Sequence, residues 1–417
     1  MTTATPLPVS RSGLSADELA DYLADIGGTL VAYGCPTYRL EDVIGLVSRI
    51  EGFDAQSFAF PTGLIITLRA SPASSPVLRL VRVKQWSVNL DRLVLVDQIF
   101  NEVADRKSTI HEARARLGKL ESRPLPYPRV VQWIAFAVAS GATAAFLRGA
   151  HAEVAAATVA GLLVGLIGWA LARIPNARFL AEFAGGLAAA VVARAAAIWH
   201  PGVSREVVVL AGVITLIPGM TLTTALGEVA RKNLVAGASR LTEAMVGFAS
   251  ILFGIATELG IEHLTRLSPA VQSVRAGLPL EWQALALVGA SWAIGVLFSV
   301  PLHYTWTAVL SGAIGYVAST VGAHYLPGHI AAFLGALAVC TASHVFARRT
   351  GRPAQLFQLP GLTLLVPGSF GFLSLESFLS GDVTQGAAQG FHMILVAAAL
   401  VTGVLLSSIL VPVRKLL

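Results

Sequence analysis

Hydrophobic positions change character near residue 128. Before it they recur at helix or strand spacing among charged residues; after it they run in apolar stretches of about 20 residues, the length a helix needs to cross a bilayer. In the first part, residues 1–14 lack any period and read as a disordered N-terminus, and Ser15-Ala16-Asp17-Glu18 has the spacing of a capping box. Gly34 ends the helix that follows, and Pro36 suits the first turn of a second helix carrying Leu40, Val43, Ile44 and Val47 towards Gly52. Asp54 to Phe60 and Leu64 to Leu68 read as strands joined by the turn Pro61-Thr62-Gly63, and Leu78 to Trp86 as a third strand. Leu90 to Arg106 predicts an amphipathic helix, and Thr109-Ile110-His111-Glu112 repeats the capping-box spacing before a short basic helix. Residues 15–122 are thus expected to form a small α+β domain, followed by a linker at 123–129 that Pro124, Pro126 and Pro128 hold extended.

Beyond the linker the hydropathy pattern predicts ten spans, with cores at 130–147, 153–172, 179–199, 207–227, 240–260, 283–301, 304–322, 329–347, 359–379 and 388–411. They divide into two five-helix repeats, 130–260 and 283–411, separated by a loop at 261–282 and followed by a tail at 412–417. A constant offset of 149 positions pairs Trp133 with Trp282, Gly186 with Gly335, Pro218 with Pro367, Gly219 with Gly368, Gly237 with Gly386 and Gly254 with Gly403. Five spans per copy is odd, so the copies insert with opposite orientation, as in many secondary transporters. The expected fold is an α-helical polytopic membrane protein: ten transmembrane helices in a 5+5 inverted repeat with a small N-terminal cytosolic α+β domain.

Composition agrees with this division, since 55% of the 417 residues are hydrophobic and 13% charged, too apolar a balance for a soluble globular protein. No basic segment, apolar run and small-residue cleavage site open the chain, so no removable signal peptide is expected. Cys35 and Cys340 fall on either side of the boundary, which argues against a disulfide or a cysteine metal site. The net charge of +6 does not call for nucleic acid, because the basic residues gather beside apolar spans. Arg173, Arg178, Arg231, Lys232, Arg348, Arg349, Arg352, Arg414 and Lys415 share one side, against Arg148, Arg205, Arg266 and Arg275 on the other. That bias puts both termini in the cytosol of a multi-pass protein in the cell membrane.

The candidate chemistry lies where two spans break. Ile217-Pro218-Gly219 and Val366-Pro367-Gly368 stand near the midpoints of matched spans, and a proline there removes a backbone donor. A helix restarted at mid-membrane offers free N–H groups and a positive dipole end to a carboxylate. Thr221, Thr223, Thr224 and Ser369 can add hydroxyl contacts, so Pro218, Gly219, Thr221, Thr223, Thr224, Pro367, Gly368 and Ser369 are the expected substrate-binding residues. The first break, with its Thr-x-Thr-Thr run, supplies more side-chain hydrogen bonds than the second. Hydroxyls that bond back to their own helix are the plainer alternative. Glu243 and His392, equivalent under the offset, are the candidates for carrying a proton, each with a competing structural role. Glu182 and Arg194 are expected to pair structurally or snorkel, and His303, His324 and His329 lack ligand spacing, so no metal and no cofactor are expected. Thr62 with His111 is the one nucleophile–base pair worth naming for a hydrolytic N-terminal domain, and no phosphate-binding Gly-x-x-x-x-Gly-Lys-Ser/Thr run is present.

Several motifs match one family. Gly34-Cys35-Pro36-Thr37-Tyr38-Arg39-Leu40-Glu41-Asp42, then Phe60-Pro61-Thr62-Gly63-Leu64, Ile217-Pro218-Gly219, Arg240-Leu241-Thr242-Glu243-Ala244 and Val366-Pro367-Gly368-Ser369-Phe370-Gly371 resemble the signatures of the threonine/serine exporter (ThrE) family. The resemblance runs from about residue 15 through nearly the whole chain, in the form that fuses both membrane halves. It implies proton-driven export of L-threonine and L-serine and marks Tyr38, Arg39, Glu41, Pro61, Thr62 and Gly63 as a motif of the cytosolic domain. A related branch is associated with export of dicarboxylates such as succinate, which remains the alternative cargo. The expected partners are a small amino acid, protons and the lipid bilayer, with self-association left open.

Overall fold

The computed structural model describes residues 14–71, 74–84, 86–265, 278–366 and 368–412; of Arg178, Phe179, His263, Leu264, Thr265 and Leu379 only the backbone is described. The N-terminal tail, Arg266, Arg275, Arg414, Lys415 and Pro367 lie outside the described residues.

Both capping boxes form. At the start of α1 (Ala16–Ala32), Ser15 Oγ accepts the Glu18 amide at 3.2 Å and Glu18 Oε2 accepts the Ser15 amide at 2.9 Å. Gly34, at φ +84°, turns the chain into α2 (Thr37–Glu51), which ends at a left-handed Gly52. β1 (Asp54–Phe60), β2 (Gly63–Arg69) and β3 (Val77–Arg82) make an antiparallel sheet in chain order. β3 stops at Arg82, short of Trp86, opposite the first residue of β2, Gly63; one further bond, from the Val83 amide to Thr62 O at 2.9 Å, follows before the Ser87 amide turns to Ala32 O. α3 (Leu90–Ala104) is capped by Asn89, and α4 (Ile110–Gly118) carries the second box through Thr109 and Glu112. Leu64, Ile66 and Leu68 of β2 are fully buried in one core with Leu19, Tyr22, Ile26, Leu40 and Ile44 of the first two helices.

The apolar part begins with α5 (Arg129–Phe146), α6 (His151–Leu171) and α7 (Ala181–Trp199), followed by the short α8 (Arg205–Val213) and α9 (Gly219–Ala230) and the long α10 (Leu234–Thr265). After the loop come α11 (Leu280–Leu297), α12 (Thr305–Tyr325) and α13 (Gly328–Thr350), again two short helices, α14 (Gln355–Thr363) and α15 (Gly368–Leu379), and the long α16 (Val383–Leu410). Among the described residues nine stretches are long and apolar enough to cross a membrane, with α14 and α15 taken as one. The expected span at 207–227 is divided at its Pro-Gly break into α8 and α9; at 1.5 Å per residue the nine residues of α8 reach only about 13 Å. The starts of α9 and α15, and those of α10 and α16, stand 149 positions apart. α7 packs on α10 as α13 packs on α16. Pro360 lies inside α14 and cannot donate to Leu356 O; Thr307 Oγ1 of α12 stands 3.2 Å from that carbonyl and shares its one proton between it and Tyr304 O, at 2.7 Å.

The N-terminal elements are docked on the apolar helices as well as tethered to them. The Leu90 and Asp91 amides donate to Phe298 O and Ser299 O at 2.9 Å each, and Val300 joins the core of the sheet and its helices. Val94 packs with Phe346, Leu356 and Phe357. At the start of α2 the Thr37 amide donates to Glu228 Oε1 at 3.1 Å, and Asn233 Nδ2 donates to Thr37 Oγ1 at 3.2 Å. Glu228 is fully buried and also faces Arg240 Nε at 3.4 Å, a charge pair whose side chains are 0% and 4% exposed. Removing one member of such a pair strands the other in a low dielectric, at about 3–5 kcal/mol. Glu228→Ala should therefore lower the thermal unfolding midpoint sharply in detergent, whereas the double substitution Glu228→Leu, Arg240→Leu should recover most of the loss.

Candidate functional site

The first break is built from backbone that cannot continue a helix. After α8, the Leu216 and Ile217 amides both turn back to Val213 O, at 2.8 and 3.2 Å, and the Gly219 amide bonds Ile217 O at 2.8 Å. Pro218 stands outside helical geometry at φ −78°, ψ 43°, and α9 restarts with no side-chain cap. The Met220 and Thr221 amides therefore have no acceptor among the described residues. Thr215 Oγ1, in the segment between α8 and α9, is buried with no hydrogen-bonding partner.

The second break meets the first. A Cβ on Gly219 would lie 3.3 Å from Gly368 Cα and overlap a Val366 methyl. One on Gly368 would lie 3.5 Å from Gly219 Cα and 2.6 Å from Ile217 Cγ2. Only glycine lets the two chains approach this closely. Of the hydroxyls around them, Thr223 Oγ1 bonds back to Gly219 O at 3.1 Å, the plainer role, while Thr221 and Ser369 are half-buried at the starts of α9 and α15.

Below the breaks lies a cavity of about 80 Å³ where α2, α9, α14 and α16 converge. Tyr38 and Arg39 of α2 line it, with Thr223, Thr224 and Arg231 of the α9 segment and Gln355 and Gln358 of α14. Arg231 stacks on the Tyr38 ring at 3.6 Å. Gln358 Nε2 reaches Cys340 Sγ at 3.4 Å. Gln355 is 4% exposed, yet neither of its amide atoms has a partner. Arg39 Nη1 is likewise buried and unpartnered, as is Glu228 Oε2. Nearby Cys35 is held as a thiol, since burial pushes it up to about 12.

The structure brings part of the N-terminal motif to the hydroxyl-bearing helix and leaves the rest elsewhere. Glu41 accepts the Ala59 amide at 3.1 Å, burial raising its carboxyl above the usual range. Pro61, Thr62 and Gly63 form the β1–β2 hairpin turn, where a Cβ on Gly63 would meet Val81 O at 2.6 Å. Thr62 and His111 are both exposed and share no hydrogen bond among the described residues. Glu243 Oε1 accepts from Trp86 Nε1 at 3.1 Å, and His392 stands edge-on to Phe370 at 4.6 Å, so neither lines the cavity. Arg194 pairs with Glu258 at 3.2 Å rather than with Glu182. Sequence reasoning passed over Glu228, which stands one residue past the expected 207–227 span and so did not count as a carboxylate within the membrane. It also passed over Gln355 and Gln358, whose three-residue spacing puts two amides on one helix face.

Two family models match the chain. One described as "Putative threonine/serine exporter" matches residues 21–261, and one described as "Threonine/Serine exporter, ThrE" matches residues 283–410. The "Probable threonine/serine exporter" of Mycobacterium tuberculosis is 26% identical over 364 residues, 84% of this chain and 68% of that protein. The "Pheromone-regulated membrane protein 10" of Candida albicans is 23% identical over 372 residues, 86% of this chain and 33% of that protein. The protein of the same name from Yarrowia lipolytica is 25% identical over 355 residues, 81% and 29% of the two lengths. The chain thus spans about a third of these fungal relatives. No solved structure matches it.

The contact between the breaks makes a specific prediction. Gly219→Ala should destabilise the protein by about 1–3 kcal/mol through overpacking against Val366. Adding Val366→Ala should recover most of that loss in thermal unfolding, because it removes the overlapping methyl.

Proposed function

Because the chain belongs to the threonine/serine exporter family, we propose that it is a secondary-active exporter of small hydroxy amino acids, L-threonine and L-serine, coupled to protons and working by alternating access. In this reading residues 15–122 are a cytosolic domain, and α5 to α16 make ten crossings of the cell membrane as a 5+5 inverted repeat. The broken pairs α8–α9 and α14–α15 are then the fourth and ninth crossings, and both termini lie in the cytosol. The matching 149-residue intervals between element starts support the repeat.

The observation that carries the reading is the meeting of Gly219 and Gly368. A transporter whose halves rock against one another needs its substrate at their interface. Free amides at the start of α9 can hold a carboxylate there, with Thr221, Thr224 and Ser369 facing the hydroxyl or ammonium group. Pro218 and Pro367 keep the breaks from closing into continuous helix. Such a protein is a transporter and not an enzyme. Glu243 and His392 are the proposed proton carriers, one in each half.

A second reading, export of a small dicarboxylate, is favoured by one observation: Arg39 and Arg231 both line the cavity. Proteoliposomes holding the purified protein separate the two. Under an imposed pH gradient they should move threonine and serine, and movement of succinate alone would select the second reading. Thr224→Val should reduce discrimination between threonine and valine by roughly tenfold, the worth of one hydrogen bond to the substrate hydroxyl. Glu243→Gln and His392→Ala should each alter the pH dependence of transport; an unchanged profile in both would remove them as carriers.

A further inference from the structure

The cavity at the junction of α2, α9, α14 and α16 has a chemistry of its own. A guanidinium is always charged and offers five donors, so one placed out of water is stable only against an anion. Arg39 lines the cavity, its Nη1 is buried without a partner, and it forms no ion pair among the described residues. The buried carboxylate of Glu228 meets both the Thr37 amide and Arg240 Nε through Oε1, and its Oε2 makes no hydrogen bond to Arg39. Arg231 is occupied by the Tyr38 ring.

Gln355 is the second, independent observation. An amide buried with both its donor and its acceptor unmade loses the desolvation cost of each. It also suits a ligand that presents a cation or hydroxyl to Oε1 and an oxygen to Nε2. The remaining walls are apolar, with Met220, Leu362, Val401 and Val404 among them, and the volume of about 80 Å³ takes several waters or one small molecule. Met220 directly follows Gly219, so the cavity ends beside the paired breaks.

We propose that this cavity is the loading site for the exported molecule: Arg39 binds its carboxylate, Gln355 binds its ammonium or hydroxyl group, and the apolar walls take a short side chain. The inference rests on the reading of the chain as an exporter of small amino acids and adds to it that the N-terminal domain supplies a ligand-binding residue. The buried amide acceptor of Gln355, which an ammonium group can use and a second carboxylate cannot, favours a zwitterionic monocarboxylate over a dicarboxylate. From the loading site the carboxylate passes to the free amides at the start of α9, where Met220 already lines the cavity.

The test is calorimetric titration of the full-length protein in nanodiscs with L-threonine, L-threoninamide and succinate. Arg39→Gln should weaken threonine binding by about thirtyfold or more and leave the feebler binding of threoninamide, which has no carboxylate, unchanged. Gln355→Leu should weaken both. The ligand-free unfolding midpoint of Arg39→Gln should match or exceed that of the unsubstituted protein, because a half-buried guanidinium with a buried, unpaired Nη1 has been removed; a marked fall would assign Arg39 a structural role and overturn the proposal. Threonine affinity unchanged in both variants while transport persists would overturn the loading site and leave the exporter reading intact. Succinate binding that depends on Arg39, with no binding or transport of threonine or serine, would overturn the exported class and keep the anion site. Binding of none of the three ligands would overturn both.

Discussion

A helix that stops inside a bilayer leaves amides and carbonyls that lipid cannot satisfy, so broken helices survive only where protein covers them. Here each break is covered by the other. Gly219 and Gly368 come close enough that neither position tolerates a Cβ without displacing Val366 or Ile217. Around this contact the short helices α8, α9, α14 and α15 are enclosed by longer ones. The same constraint recurs at Pro360, where the carbonyl that proline leaves without a donor lies 3.2 Å from Thr307 Oγ1 of a neighbouring helix, a hydroxyl it shares with Tyr304 O.

The second organising feature is the seam between the N-terminal elements and the apolar helices. Its backbone bonds at Phe298 and Ser299 fix α3, and the buried Glu228–Arg240 pair fixes the start of α2. Two cations and one carboxylate are thereby drawn into a region of low dielectric, with Glu228 serving Thr37 and Arg240 and not Arg39. The seam is thus a polar interface held open on one side, and the cavity occupies that side. Farther along α10, about 27 Å from Arg240 at 1.5 Å per residue, Glu258 ties Arg194 and Arg205 together at 3.2 Å each. The first half of the membrane part is therefore clamped by charge at both ends, while its middle holds the break.

The two halves contribute unequally. The first brings a threonine run after its break, and one of those hydroxyls, on Thr223, is absorbed by its own helix. The second brings its polar groups before the break, as Gln355 and Gln358. A site assembled from both would therefore be lined by hydroxyls on one side and amides on the other.

Local chemistry was legible in the chain by itself. Capping boxes at Ser15 and Thr109, the hairpin at Pro61-Thr62-Gly63, the long apolar helices and the positions of both breaks follow from spacing, side-chain donors and the missing amide of proline, all of which act within a few residues. The 149-residue interval was legible for the same reason, since it is a property of positions and needs no packing. Only the tertiary structure decided that the breaks touch and that Arg39 of the N-terminal motif lines the same cavity as Gln355. Those facts join residues far apart in the chain, and periodicity tells which face of a helix is apolar but not which distant helix will cover it. Glu228 went unread because its burial depends on Thr37 and Arg240, partners that come together only when α2 docks on α9.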